Sequence, residues 1–212
     1  MLVSVAAASG MLSAACAPGG GTGGEGDRPV YASVEELARA SAGAFAVRIG
    51  RVVGRECDDG GEAREAEGPR GDAGADCVPM VFREATVEAV VLKPSGPAGG
   101  GRAVAVPARV VLGGVEKEAG GGRGPVAALA SGAHMVVYAR RLSPADHPGI
   151  DSVTGDLWIP TGGEQGLFDI EGKTVRARSA LVTRLTARSP ASDGGRLRAT
   201  VGELRRAARA RT

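Results

Sequence analysis

Apolar side chains recur at every second residue through most of the middle of this chain, and that period confines it to a β architecture. In Ala44–Arg55, Phe45, Val47 and Ile49 alternate with Ala46 and Arg48. The phase slips at Gly50, where a bulge is expected. Val78–Lys93 opens with Val78, Met80 and Phe82 in phase and continues with Val87, Ala89 and Val91. Val104, Val106, Ala108, Val110 and Leu112 form the next run, in which Pro107 marks an edge or a bend. Met135–Leu142 reads as a fourth strand. Leu157–Ile159, Leu167–Ile170 and Thr174–Arg178 read as a meander, the last two joined by a tight turn at Glu171-Gly172. Arg55–Cys77, Gly96–Arg102, Gly113–Gly124 and Ser143–Asp156 are expected to be loops. Many short strands between glycine-rich turns indicate a small sandwich or barrel.

Two short helices bracket the strands. Ser33-Val34-Glu35-Glu36 is a capping box, with serine at the N-cap and glutamate three residues on. Val34, Leu37 and Ala38 then share a face, and Gly43 ends the helix. Thr200-Val201-Gly202-Glu203 repeats the device ahead of Leu204 and an arginine-rich last turn that suits the helix dipole.

Aromatic residues make up only 3% of the 212 residues, so the core must be built from valine, alanine and leucine. Lysine occurs only at Lys93, Lys117 and Lys173, while glycine occurs 35 times. That bias reflects a GC-rich coding sequence rather than a functional demand. A net charge of +2 is too balanced to indicate nucleic acid or anionic lipid as a partner. With no asparagine, the chain has no N-glycosylation site.

Before the first helix lies a different kind of segment. Leu2–Ala15 is uncharged, apolar and shorter than the roughly twenty residues a bilayer span requires. It ends in Ser13-Ala14-Ala15-Cys16, and this ending resembles a bacterial lipoprotein signal, in which small residues precede a cysteine that receives a diacylglyceryl group. The resemblance implies lipidation of Cys16. Ser13 stands where that family usually has leucine, and no basic residue precedes Arg28. An ordinary cleaved signal and a chance cysteine in an apolar N-terminus are the alternatives. Residues 17–29 carry six glycines between Gly19 and Gly26 and read as a tether, spanning on the order of 20 Å. Two acyl chains would hold such a tether stably at a membrane.

With Cys16 assigned to lipid, Cys57 and Cys77 remain, and in an oxidising compartment a disulfide is their expected fate. It would close a loop of about twenty residues and contribute roughly 3 kcal/mol. The alternative is a pair of free thiols. Two cysteines without CxxC spacing make a poor metal site.

The runs Ala44–Val53, Ala85–Lys93, Ala103–Val111, Gly132–Arg141 and Gly166–Val175, with the terminal Thr200–Ala210, resemble uncharacterised exported proteins of high-GC Gram-positive bacteria. The resemblance covers roughly Val30–Arg209. It implies a five-stranded OB-like barrel, broadly similar to netrin-like and metalloproteinase-inhibitor domains. That family offers no catalytic residues to carry over. The inhibitor branch works through an N-terminal cysteine ridge, whereas Cys16 is separated from the barrel by the tether.

Several motifs suggest chemistry and are better read as structure. Gly21–Gly26 satisfies GxGxxG but follows no strand and opens no helix. Gly166–Thr174 has one residue too many between its glycines for a phosphate loop, and its interval is strand-like. Asp146, His147, Asp151 and Asp156 crowd one polar loop without the spacing of a metal site. Ser152 beside Asp151 and His147 lacks a scaffold that would orient a triad, and no GxSxG occurs. The acidic stretch Glu56–Asp76 lacks EF-hand spacing. Arg196, Arg198, Arg205, Arg206, Arg209 and Arg211 read as a solvated basic tail.

These readings converge on one expectation. Residues 1–16 are a signal peptide, 17–29 a tether, and 30–212 a mainly β domain. That domain is a small OB-like five-stranded barrel with added hairpin strands, short flanking helices at both ends and a disordered basic C-terminal tail. The expected function is that of a membrane-anchored extracytoplasmic lipoprotein domain. It would bind a protein or envelope partner, with no nucleic acid, no cofactor, no metal and no enzymatic activity. A secreted netrin-like inhibitor is the alternative, followed by a secreted hydrolase using His134 or His147.

Overall fold

The computed structural model describes residues 29–58, 78–94, 105–118, 120–146, 150, 152–192 and 195–210. They fold in the order α1 (Val34–Ala40), β1 (Gly43–Asp58), β2 (Val78–Leu92), β3 (Arg109–Val115), β4 (His134–Leu142), β5 (Leu157–Pro160), β6 (Leu167–Glu171), β7 (Thr174–Ala177), β8 (Arg198–Ala199) and α2 (Val201–Arg209). Single 3-10 turns lie at Pro144–Asp146 and Gly163–Gly166. The molecule is mainly β: one eight-stranded sheet that curls into a partial ring of five strands, with two short helices. Among the described residues no helix is long and apolar enough to cross a membrane.

The ring follows from pairing. β1 pairs with β2, β2 with β3 and β4 with β5, all antiparallel, and β4 returns to β1 through Gly43–Arg48. The remaining side is the parallel contact of β3 with β5, which has only two paired positions, Val111 with Leu157 and Leu112 with Trp158. β4 organises the sheet because one of its edges is shared. Met135–Val137 pairs with β6 and Ala139–Leu142 with β5. β5 and β6 therefore lie end to end along one edge, and the expected meander is replaced by a β6–β7–β8 extension. β6 and β7 do form a hairpin, in which Gly172 takes φ 63° in the turn. That left-handed conformation suits glycine.

The expected bulge is present: Ile49 faces Ala85 and Val52 faces Arg83, so β1 carries one extra residue at 50–51. The strand expected from Val104 begins only at Arg109, after Pro107. β1 outruns its expected end and reaches Asp58.

Alternation on β1 and β4 separates two cores. Phe45, Val47, Ile49, Met135, Val137 and Ala139 point into the ring with Val110, Leu112, Trp158 and Leu167. Val126, Ala127 and Leu129, from the connection between β3 and β4, also belong to this inner core. Ala44, Ala46, Val136 and Tyr138 point the other way, against Val34, Leu37 and Ala38 of α1 and Leu204, Ala207 and Ala208 of α2. Both helices carry the expected capping boxes, with Ser33 and Thr200 accepting from the backbone N–H of Glu36 and Glu203. Arg205 donates to the carbonyl of Val90 at 2.9 Å, so Arg205, Arg206 and Arg209 belong to a packed helix rather than a free basic tail. The scarce aromatics are placed economically. Phe45 meets Trp158 edge-on at 4.9 Å and Tyr138 packs with Phe168 at 5.6 Å.

Candidate functional site

The β3–β5 contact ends at Leu112 and Trp158, and beyond it the two strands part. A cavity of about 230 Å³ occupies the gap. Gly113, Gly114 and Val115 of β3 form one wall, Ile159 and Pro160 of β5 another, and Pro29, Tyr31, Pro125 and Val126 complete the apolar lining. A side chain at Gly114 would place its Cβ 2.8 Å from Val126 Cγ2, so glycine lets the two walls approach.

The rim is held by buried polar contacts. Gln165 accepts from the backbone N–H of Tyr31 at 2.7 Å and donates to the carbonyl of Pro29 at 3.1 Å. This fastens the chain leading into α1 against the cavity. The Thr161 hydroxyl meets that of Ser41 at 2.8 Å, and Ser41 donates to the carbonyl of Leu37 at 2.7 Å. These bonds join the rim to the end of α1. Gly162 takes φ 64° there, and a Cβ would sit 3.1 Å from the Tyr31 ring. Arg140 contributes the one cationic side chain of the lining, and no carboxylate among the described residues pairs with it. The cavity thus offers apolar walls and one exposed guanidinium, a combination suited to orienting a ligand.

The polar residues singled out in the sequence lie elsewhere. His134 pairs through Nε2 with Glu88 at 2.5 Å, and the same carboxylate accepts from Arg48 at 2.9 Å on the outer sheet face. Asp146 accepts from the Ser143 backbone at 2.7 Å and hydroxyl at 2.6 Å. Asp156 pairs with Arg141 at 2.7 Å, and the Ser152 N–H donates to Glu56 at 2.5 Å. Among the described residues no group of three His, Cys, Asp or Glu side chains could hold a metal. Cys57 lies near the end of β1, opposite Pro79. Cys16, Cys77, His147 and Asp151 lie outside the described residues, as do the GxGxxG match at Gly21–Gly26 and residues 59–76 of the acidic stretch. The segment resembling a phosphate loop is the β6–β7 hairpin.

Two ionisable groups are perturbed by local structure rather than by a site, Tyr138 by burial and Glu203 by hydrogen bonds. Burial pushes the Tyr138 hydroxyl above its ordinary range. Hydrogen bonds from the Thr200 backbone N–H and hydroxyl hold the Glu203 carboxyl below its ordinary range.

Sequence reasoning misses the cavity. It arises from glycines in a strand and from Gln165, a polar residue beside a turn. The only advance signal is the pair Gly113-Gly114 following an alternating run. Compared with known proteins, the chain matches no family model, no curated protein and no solved structure.

Proposed function

We propose that this chain is an extracytoplasmic, lipid-anchored binding domain, built on an OB-like barrel and held to the membrane through Cys16. Its ligand-facing surface is the gap between β3 and β5. The observation that carries the binding role is the cavity there, whose lining combines apolar side chains, glycine backbone and the single cation of Arg140. The OB-like assignment is supported by the partial ring in the order β1–β2–β3–β5–β4, because an OB-fold is a five-stranded, partly open barrel. The anchor is supported by the apolar run ending at Ser13-Ala14-Ala15-Cys16 and by the glycine-rich tether behind it. The tether would deliver the chain at Pro29, on the rim of the cavity. A Cys57–Cys77 disulfide fits this address. The β1–β2 ladder ends with Asp58 opposite Val78, so the strand ends that these cysteines flank are adjacent.

The test is the intact mass of the mature protein recovered from the membrane fraction of a Gram-positive host. A chain beginning at Cys16 with added diacylglyceryl mass supports the anchor. A chain retaining Met1 in the cytosol overturns it.

A further inference from the structure

On β2, Arg83 shares the strand face of Val81 and Ala85 by alternation. Val81 and Ala85 are inner-core residues, and the position between them is an arginine only 8% exposed as a residue. The bulge at 50–51 turns the Gly50 carbonyl toward it. Arg83 Nη1 donates to that carbonyl at 3.3 Å and to the Ser131 hydroxyl at 3.4 Å. Both contacts are long and both acceptors are neutral. Arg83 Nε is buried and has no hydrogen-bond partner.

The charges around it make the deficit worse. Among the described residues no carboxylate pairs with Arg83, and the neighbours whose charges act on it are Arg123 and Arg55. Of these two cations, Arg55 is already paired, with Glu116 at 3.1 Å. Arg123 has no ion pair among the described residues. Burial first, and then these two cations, hold the Arg83 guanidinium below its ordinary range. A buried charge lacking a counter-charge is costly unless something supplies one. The unpartnered Nε–H suits a charge-assisted hydrogen bond to an oxyanion, and a second and third cation favour an anion of more than one charge.

We propose that Arg83, with Arg123 and Arg55 beside it, forms a binding site for a phosphate-class oxyanion at the bulged end of the ring. The site is separate from the β3–β5 cavity, and its lining does not include Arg140. At a membrane surface, the phosphate of a lipid headgroup and free phosphate carry the same chemistry.

The test uses the full chain and inorganic phosphate, read by thermal unfolding against sodium chloride of matched ionic strength. Wild type gains a saturable rise in Tm with phosphate that chloride does not reproduce. Arg123→Gln removes an exposed side chain that the fold does not use, and it weakens the phosphate effect about tenfold, the loss of one charge-assisted contact. Arg83→Met abolishes the effect while keeping or raising the phosphate-free Tm, since it removes an uncompensated charge; Arg140→Gln leaves the effect intact. A second arm measures flotation with phosphatidylglycerol vesicles: Arg83-dependent flotation assigns the headgroup, and a phosphate response without flotation assigns a soluble phosphate. No phosphate-specific shift in wild type overturns the site, as does a shift that survives Arg123→Gln and Arg83→Met unchanged.

Discussion

The half of the ring beneath the helices and the gap between β3 and β5 solve the same packing problem in opposite ways. Beneath α1 and α2, β1 and β4 are apolar on both faces, and the second face is sealed by Val34, Leu37, Leu204, Ala207, Val182 and Phe168. At the gap, two paired positions join the strands, glycine replaces side chains, and a cavity of about 230 Å³ remains. The fold gathers its stability on the helix side and leaves the proposed ligand-facing surface at the weakest closure of the ring. Local opening concentrates where buried apolar contacts are few.

The largest test of that contrast is truncation on each side. Phe168→Ala, fully buried against Tyr138, costs about 3–5 kcal/mol in chemical denaturation. Val115→Ala, half-buried on the cavity wall, costs about 1 kcal/mol or less. Equal costs would erase the distinction. Next come the glycines. Gly166→Ala would place a Cβ 2.6 Å from the Tyr138 carbonyl oxygen and 2.8 Å from that of Thr161, backbone atoms that cannot yield. It costs about 2 kcal/mol or more. Gly114→Ala would place its Cβ 2.8 Å from Val126 Cγ2 and 3.1 Å from Val126 Cβ, side-chain rather than backbone atoms, and costs less than Gly166→Ala in the same assay.

How far these features could be read from sequence follows from their range. The capping boxes of Ser33 and Thr200, the bulge at Gly50 and the β6–β7 hairpin are local, and all four are legible because neighbouring residues satisfy one another. The parallel β3–β5 contact and the shared edge of β4 join segments far apart in the chain, and alternation alone names no partner. Val106 and Ala108 continue the alternation yet lie outside the strand. Pro107 cannot donate to a ladder, and Val106 is left exposed. Val126, Ala127 and Leu129 are too short a run to show that they fill the ring. Gln165 and Arg83 look like surface residues, and only the fold makes them interior ones. The proposed lipid site at Cys16 and the proposed Cys57–Cys77 pairing rest on the sequence, as Cys16 and Cys77 lie outside the described residues.

Smaller effects sharpen the helix side of the comparison. Ser33→Ala and Thr200→Ala each remove an N-cap acceptor and cost about 1 kcal/mol by thermal unfolding. The smallest effect is acid sensitivity. The Glu203 carboxyl is held below its unfolded value by the Thr200 bonds. Its stabilising contribution is therefore present above the ordinary carboxylate range and is lost as pH falls through that range and the folded value beneath it. Glu203→Gln flattens this part of an acid-unfolding curve followed by the helical signal of α2. An unchanged curve would mean that the capping box contributes nothing through its charge.

The division between sealed and openable halves is tested most directly by native-state amide exchange. Val136–Ala139 of β4 should exchange only through global unfolding. Gly113–Val115 and Ile159, beside the cavity, should exchange at least about tenfold faster through local opening. Equal protection on both sides would contradict it, and the gap would then be a rigid part of the core rather than the place where the ring admits a ligand.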